Sequence, residues 1–308
     1  MDDSNRSDEM AHDDSQVKWT DEQWARVRQV VQEEARRARV AATFLPLYGP
    51  LPPDTDFVPA DVLAYESEPG RPQRMTIDDT TTKQLATLQV RVFVRGAQMA
   101  DPALASVLQL FRRAANVLAR LEDAVIFGGE PAPVNGKVRT TGLAGLPPIW
   151  EILGGQKSKG LLEGAGLYKT APGKSKARGE KLVGVVSESI SELEAHGHLG
   201  PFVVVLGDDL FTAVQTPNES SLVLPQDRII PFLGGGSLLR TSTLDPQNGV
   251  VVALGGAPVD LVVATDVSVN FLQVTTDPMF VFRVFEKIVL RIKEPEAIVA
   301  LKPAAAQK

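Results

Sequence analysis

Few residues in this chain have the types and spacing to do chemistry. It has three histidines, His12, His196 and His198, and no cysteine. That removes thiolate metal sites, disulfides and cysteine nucleophiles together, and leaves a His-rich metal site or a Ser-His-Asp triad short of material. His196-Gly197-His198 offers two imidazoles without a third ligand nearby, and its place before Gly200-Pro201 fits the end of a helix. Gly173-Lys174-Ser175 ends like a phosphate-cradling GxxxxGK[ST] loop, but the first glycine of that pattern would fall where Tyr168 stands. Pro172 sits inside the loop and no clear strand precedes it. Gly234-Gly235-Gly236-Ser237 lacks the GxGxxG spacing and reads as a flexible turn. Asp208-Asp209 suits a helix start. Glu122 and Asp123 are adjacent on a helix, so they diverge by about 100° and do not form an acid/base pair on one face. Asn218-Glu219-Ser220 is formally a glycosylation sequon, meaningless without a secretory route. No nucleophile, base and orienting group can be assembled. The expectation is a protein that is not an enzyme and carries no cofactor and no metal.

The elements that would position any site follow from composition and periodicity. With 308 residues, 44% hydrophobic and 23% charged, the chain has material for one large or two ordinary globular domains. No apolar run approaches the ~18 residues a membrane span needs, and no basic-then-apolar leader opens it, so a cytoplasmic location with no membrane partner is expected. A net charge of −6 argues against binding nucleic acid through the overall field. The first fifteen residues carry six acids against Arg6 alone, with almost no apolar side chain; residues 1–17 therefore read as a disordered acidic arm.

Thr20 and Gln23 have capping-box spacing, with Trp19 and Trp24 placed as a hydrophobic staple. Trp24, Val27, Val31, Ala35, Ala38 and Ala42 then form an apolar stripe on a helix of about twenty residues. The opposite face carries Arg26, Glu33, Arg36, Arg37 and Arg39. The stripe serves either the protein's own core or a docking surface. Residues 44–72 are Pro-rich and extended. Residues 61–82 suit a two-stranded excursion with little core of its own, which would rest on a neighbouring subunit. Leu88, Val90, Val92 and Val94 alternate with Gln89, Arg91 and Arg95 as a half-buried strand, with Phe93 as the exception.

Asp101-Pro102 is placed to open the longest helix, with Asp101 as N-cap, a stripe from Leu104 to Val125 and Gly128-Gly129 as the stop. Residues 136–181 read mostly as loop with an exposed basic insertion. A second amphipathic helix carries Leu182, Val186, Ile190 and Leu193. Apolar runs at 202–206, 250–254, 261–264, 267–274, 279–290 and 297–301 read as strands. Strands dominate the last third and helices sit earlier, which gives an α+β fold.

Four stretches together resemble the first family of encapsulin shell proteins. They are Trp19-Thr20-Asp21-Glu22-Gln23-Trp24, LEDAVIFGG ending at Gly129, GPFVVVL ending at Leu206, and LRIKEPEAIVAL ending at Leu301. Their order and spacing are similar too, and the resemblance covers about residues 19–303. It implies an HK97-like phage capsid fold with a P-domain, an A-domain and an E-loop, preceded by an N-terminal amphipathic helix. On this chain that means a lumen-facing helix at 18–42 and an extended segment with E-loop at 43–100. The P-domain spine helix falls at 101–141, and most of the A-domain at 142–266 with the basic insertion at 155–181. P-domain strands follow at 267–303 and a tail at 304–308.

The resemblance further implies a self-assembling icosahedral shell in the cytosol that encloses a cargo enzyme, ferritin-like or of peroxidase type. A C-terminal targeting peptide of the cargo would lie in an apolar groove of Trp24, Val27 and Val31, with Asp260, Val262 and Phe271 opposite. Asn218, Glu219 and Ser220 would line a fivefold pore, where a ring of Glu219 carboxylates favours cations. Some relatives bind flavin on a Trp just after the strand that here is 90–94. Residues 95–100 hold no aromatic side chain, so no flavin is expected. Two other functions fit less well: the major capsid protein of a tailed phage or prophage, and a soluble enzyme with an unrecognised site. The short acidic arm and the N-terminal helix favour enzyme cargo over packaged DNA.

Overall fold

The computed structural model describes residues 17–66, 74–78, 80–131, 137–139, 146–217 and 223–304. In chain order its elements begin with α1 (Asp21–Ala38), β1 (Leu47–Tyr48), β2 (Phe57–Pro59), β3 (Val62–Glu66), β4 (Arg74–Asp78), β5 (Thr82–Gln84) and β6 (Ala86–Arg95). Then come α2 (Gly96–Met99), α3 (Ala105–Gly128), β7 (Lys137–Arg139), β8 (Trp150–Gly154), α4 (Leu161–Gly164), β9 (Leu167–Ala171) and α5 (Arg178–Ala195). The last third holds β10 (Phe202–Leu206), α6 (Asp208–Gln215), α7 (Pro225–Ile229), β11 (Leu238–Arg240), β12 (Gly249–Ala253), β13 (Val259–Val274), β14 (Met279–Ile292) and β15 (Ile298–Pro303).

The start of α1 follows its sequence signals. The Gln23 N–H donates to Thr20 Oγ1 at 3.2 Å and the Thr20 N–H donates to Gln23 Oε1 at 3.0 Å, the reciprocal capping box. The Trp19 and Trp24 rings meet edge-on at 5.1 Å, which closes the staple. The start of α3 differs from expectation. Leu104 is buried in a left-handed conformation at φ 53°, so the helix begins at Ala105. The Asp101 carboxylate still serves this end, accepting the N–H groups of Ala103 and Ala105 at 3.0 Å each. Gly129 ends the helix at φ 99°, and a Cβ there would stand 2.5 Å from the Ser158 carbonyl oxygen, so glycine is required. From Val117 to Phe127 nearly every residue of α3 is buried, not one stripe alone. The reason is that α1, α4 and the sheet strands β6 and β14 pack around it.

Two sheets share the core. One runs β1-β13-β14-β6-β8-β7 and the other β11-β10-β12-β15-β9; β2 with β5 and β3 with β4 make two separate ribbons. Strands β10 and β12 are buried on both faces. Val203, Val205, Val250 and Val252 join the large core around α3, while Val204, Leu206 and Val251 join a second core under α5. Alternate residues of one strand thus bond two hydrophobic cores through a single sheet.

Four features differ from the sequence reading. Residues 136–181, read mostly as loop, contain β8, α4 and β9, and β9 pairs in parallel with β15 at the edge of the second sheet. Strand β15 itself belongs to that second sheet, beside β12, and not with β13 and β14. Trp150–Gly154 pairs with β6 in the first sheet, although it lies within 142–266. The runs 261–264 and 267–274 are one strand, β13, whose pairing to β14 shifts at Val263/Thr265, Thr265/Ser268 and Phe271/Gln273.

Candidate functional site

Helix α1 lies across α3 and β13, and its contacts sort the six residues expected to form a groove. Trp24, Val27 and Val31 all point inward and are buried. The Trp24 ring meets Phe282 edge-on at 6.0 Å, and Phe271 meets the same Phe282 ring at 5.5 Å. Trp19 stacks flat on Phe282 at 5.0 Å, and Phe111 of α3 meets it at 5.5 Å. Phe282, which carried no signal in the sequence beyond its apolar run, is the hub of this aromatic cluster. Burial of these rings helps to hold α1 down.

Asp260 and Val262 are elsewhere. Side chains on a strand alternate, so they share the face opposite Leu261 and do not face α1. Val262 packs with Val58, Leu85, Ala264 and Val289 in a small third core. Asp260 is buried and bound by the Arg291 guanidinium, with Lys293 Nζ at 3.2 Å. The surface between α1 and β13 is therefore a mixed groove and not a purely apolar one. It measures 290 Å3 and is lined by Arg28, Gln32, Ser268 and Asn270 together with Val31 and Val267. Asn218, Glu219 and Ser220 lie outside the described residues.

A charge node closes the far end of α1. Arg39 follows the helix and, unlike Arg36 and Arg37, turns inward, with its side chain 15% exposed. Its Nε lies 2.5 Å from Glu122 Oε2 on α3, its Nη1 3.0 Å from Asp266 Oδ1 on β13, and its Nη2 binds Glu286 on β14. Burial works against the cation, yet the carboxylates of Glu286, Glu122 and Asp266 hold its pKa above the usual guanidinium range. Burial pushes Glu286 up to about 7, with Arg39 opposing. Burial, then the neighbouring Glu286, drives Glu122 well above the normal carboxylate range.

Asp123 turns the other way, as the helical offset from Glu122 requires. It accepts the N–H groups of Val40 and Ala41 at 3.0 and 2.8 Å and so caps the turn that follows α1; burial raises it to about 7 against those bonds. One cation among four acids holds α1, α3, β13 and β14 in one arrangement. Among the described residues no group of His, Asp and Glu has a metal-holding geometry.

The third feature is the ribbon of β3 and β4, paired from Val62↔Asp78 to Glu66↔Arg74. Met75 and Ile77 of β4 are 71% and 60% exposed. At its base Arg291 Nη1 reaches Asp61 Oδ2 at 2.6 Å, and the guanidinium lies over the Tyr48 ring at 4.6 Å.

A long buried helix, a sheet with two very long strands, a second sheet with its own helices and an exposed ribbon make up the HK97-like capsid fold. Solved structures carry the same fold: the virus-like particle of Pyrococcus furiosus matches with a TM-score of 0.62 and 18% identity over 91% of this chain and 100% of that one. A structure from Gordonia phage Cozz matches with a TM-score of 0.56 and 12% identity over 86% of each chain. Sequence places the chain within the class. Residues 11–145 and 149–289 match the Linocin_M18 family, described as "Encapsulating protein for peroxidase", and the chain belongs to that family of encapsulin shell proteins. The type 1 encapsulin shell protein EncA of Myxococcus xanthus is 28% identical over 299 residues, covering 93% of this chain and 94% of that protein. The family is one of structural shell proteins, and no helix among the described residues is long and apolar enough to cross a membrane.

Proposed function

We propose that copies of this chain assemble in the cytosol into a closed icosahedral compartment that encloses a protein cargo and does no chemistry of its own. The observation that carries this is the ribbon of β3 and β4. Met75 and Ile77 stand apolar and exposed on a two-stranded element, none of whose described side chains is fully buried. Such a ribbon is marginal alone and gains stability by lying on a neighbour. On this reading the ribbon is the E-loop, α3 the spine of the P-domain, and the five-stranded sheet with α5, α6 and α7 the A-domain.

The cargo is an enzyme of peroxidase or ferritin-like type; the description of the family, an encapsulating protein for peroxidase, supports the first. Its C-terminal peptide lies along the groove between α1 and β13 on the lumenal side. Val31, Val267 and Val269 line its floor, and Trp24, Val27 and Phe271 pack in the core beneath α1. Arg28, Gln32, Ser268 and Asn270 at the rim supply hydrogen bonds to the peptide. Asp260 and Val262 take no part in it. The test is to express the chain with its genomic neighbours, purify the particles and treat them with protease. A second protein that survives digestion inside intact particles supports the reading. Particles that never retain one, from any neighbouring gene, would remove the cargo role.

A further inference from the structure

The charges enclosed at the end of α1 do not balance. Glu122, Asp123 and Glu286 are 1%, 1% and 0% exposed, and Arg39 is the cation bound among them. Three carboxylates against one guanidinium would leave two uncompensated negative charges in the interior, a state that burial opposes strongly. Asp266, with its side chain 71% exposed, adds a fourth acid at the rim. The cluster therefore holds protons near neutral pH. Burial is the first cause for each buried carboxyl, at about 7 for Asp123 and Glu286 and well above the ordinary range for Glu122.

The elements around this cluster differ in how readily they can yield. Glu122 and Asp123 stand in the most buried stretch of α3. Asp266 and Glu286 stand on β13 and β14, which pair from Val259↔Ile292 to Val274↔Phe280. The first half of α1 is pinned by Trp19 and Trp24 on Phe282. Residues 39–45, the turn that follows α1, are held less. Ala41 and Leu45 are buried, but the N–H groups of Thr43, Phe44 and Leu45 bond only to the Val40 and Ala41 carbonyl oxygens of the same turn. The Val40 and Ala41 N–H groups go to Asp123, a member of the cluster. Clefts of 220 and 320 Å3 flank the turn, both lined by Arg39, Ala42, Leu47 and Asp266. Movement of this turn alone would therefore bring water to the carboxyls. Arg36 lines the second of these clefts, and Arg120 and Arg240 line another beside Asp123.

We propose that residues 39–45 form a pH-operated latch, closed while the buried cluster keeps its protons and open, in an otherwise folded subunit, once the cluster ionises. The closed form binds the protons, so rising pH favours the open form, and the range is set by the groups that titrate at about 7. Local opening of this kind costs less than unfolding the whole chain. Gln32 and Val267 line both the second cleft and the groove beside α1, so the latch bounds one end of that groove. The inference goes beyond the shell reading and applies equally to a free subunit and an assembled one.

The chain has no cysteine, so a single introduced thiol reports the latch. Ala41→Cys places it where the native side chain is fully buried, and Ser189→Cys places a control in the buried face of α5. Each rate of reaction with a disulfide reagent is divided by the rate for the unfolded chain at the same pH, which removes the thiolate fraction. Between pH ~6 and ~9 this ratio should rise about tenfold or more for Ala41→Cys and less than about twofold for Ser189→Cys. Adding Glu286→Gln to Ala41→Cys should cut the rise to about threefold or less, and Glu122→Gln takes its place should that variant not fold. A flat ratio at Ala41→Cys, an equal rise at both thiols, or a rise undiminished by the glutamine variant would overturn the proposal. Should Ala41→Cys itself not fold, hydrogen exchange of the 39–45 amides in the unmodified protein, corrected for intrinsic rates and compared with α5, is read for the same rise.

Discussion

The Arg291 guanidinium grips the Asp260 carboxylate with two hydrogen bonds, Nε to Oδ1 at 2.9 Å and Nη2 to Oδ2 at 2.7 Å. Both side chains are buried, and the remaining nitrogen, Nη1, reaches Asp61 just before β3. The ribbon is thus aimed by a charge pair anchored on the long strands β13 and β14. A closed shell needs contacts that repeat at fixed angles, so the element reaching the next copy has to leave the body in one direction.

Replacing that anchor should therefore cost stability and geometry together. Arg291→Met leaves Asp260 with only Lys293 and is expected to destabilise the subunit by about 3–5 kcal/mol. Thermal unfolding and particle size distribution read the two effects. Arg291→Lys, which keeps the charge but not the fork, should fall between. A melting temperature unchanged in Arg291→Met would mean that the pair does not hold the ribbon.

The charge node at the end of α1 gives a pH dependence of definite sign. Asp123 and Glu286 titrate at about 7 in the fold, and Glu122 higher still. Unfolded, such carboxyls titrate near ~4. The fold therefore binds more protons than the unfolded chain between these values, and the stability this contributes is lost as pH rises through about 7. Lowering pH from ~8 to ~5 should raise the melting temperature, a gain on the order of 1–3 kcal/mol. Glu286→Gln should flatten this slope and stabilise the protein most at the alkaline end. A steeper slope in the variant would contradict the assignment. The groups that set it come from four elements: Arg39 after α1, Glu122 and Asp123 on α3, Asp266 on β13, itself largely exposed, and Glu286 on β14.

Charge placed on the ribbon should separate folding from assembly. Met75 and Ile77 lose almost nothing within one chain when changed to Asp, because they are exposed there. If a second copy covers them, an unpaired carboxylate in that contact opposes it strongly. The double variant Met75→Asp, Ile77→Asp is expected to give soluble subunits of unchanged circular dichroism and no closed particles. Full particles from the variant would mean that the ribbon makes no apolar contact with a neighbour.

The groove should respond at its rim and not at its floor. Arg28→Ala with Asn270→Ala should reduce retained cargo by about tenfold, the worth of one or two hydrogen bonds, with particles intact. Trp24→Ala opens the aromatic cluster under α1 and should cost about 3–5 kcal/mol of subunit stability whether or not cargo is present. Equal cargo in wild type and the rim variant, measured by protein ratio in purified particles, would move the binding site elsewhere.

Local rules carried most of what could be read without coordinates. The capping box, the staple, the alternation of Leu88, Val90, Val92 and Val94 and the end of α5 at His196-Gly197 all depend on neighbours in sequence, and the structure has each of them. Long-range pairing is where the reading failed. Nothing local shows that β15 crosses to the second sheet, or that β9 becomes its parallel partner. Arg39 read as a surface charge because its helical angle places it outward, but the helix ends one residue earlier. Its carboxylate partners lie 83, 227 and 247 positions away, beyond any spacing rule. Asp260 and Val262 were set opposite α1 by resemblance, and the alternation of a single strand would have sent them to the other face.

Electron microscopy of the purified full-length chain, expressed by itself, tests the central claim most directly. The account predicts hollow, closed particles of uniform diameter, formed without any second protein. A population made only of monomers or dimers under mild buffer conditions, with the subunits folded, would contradict it.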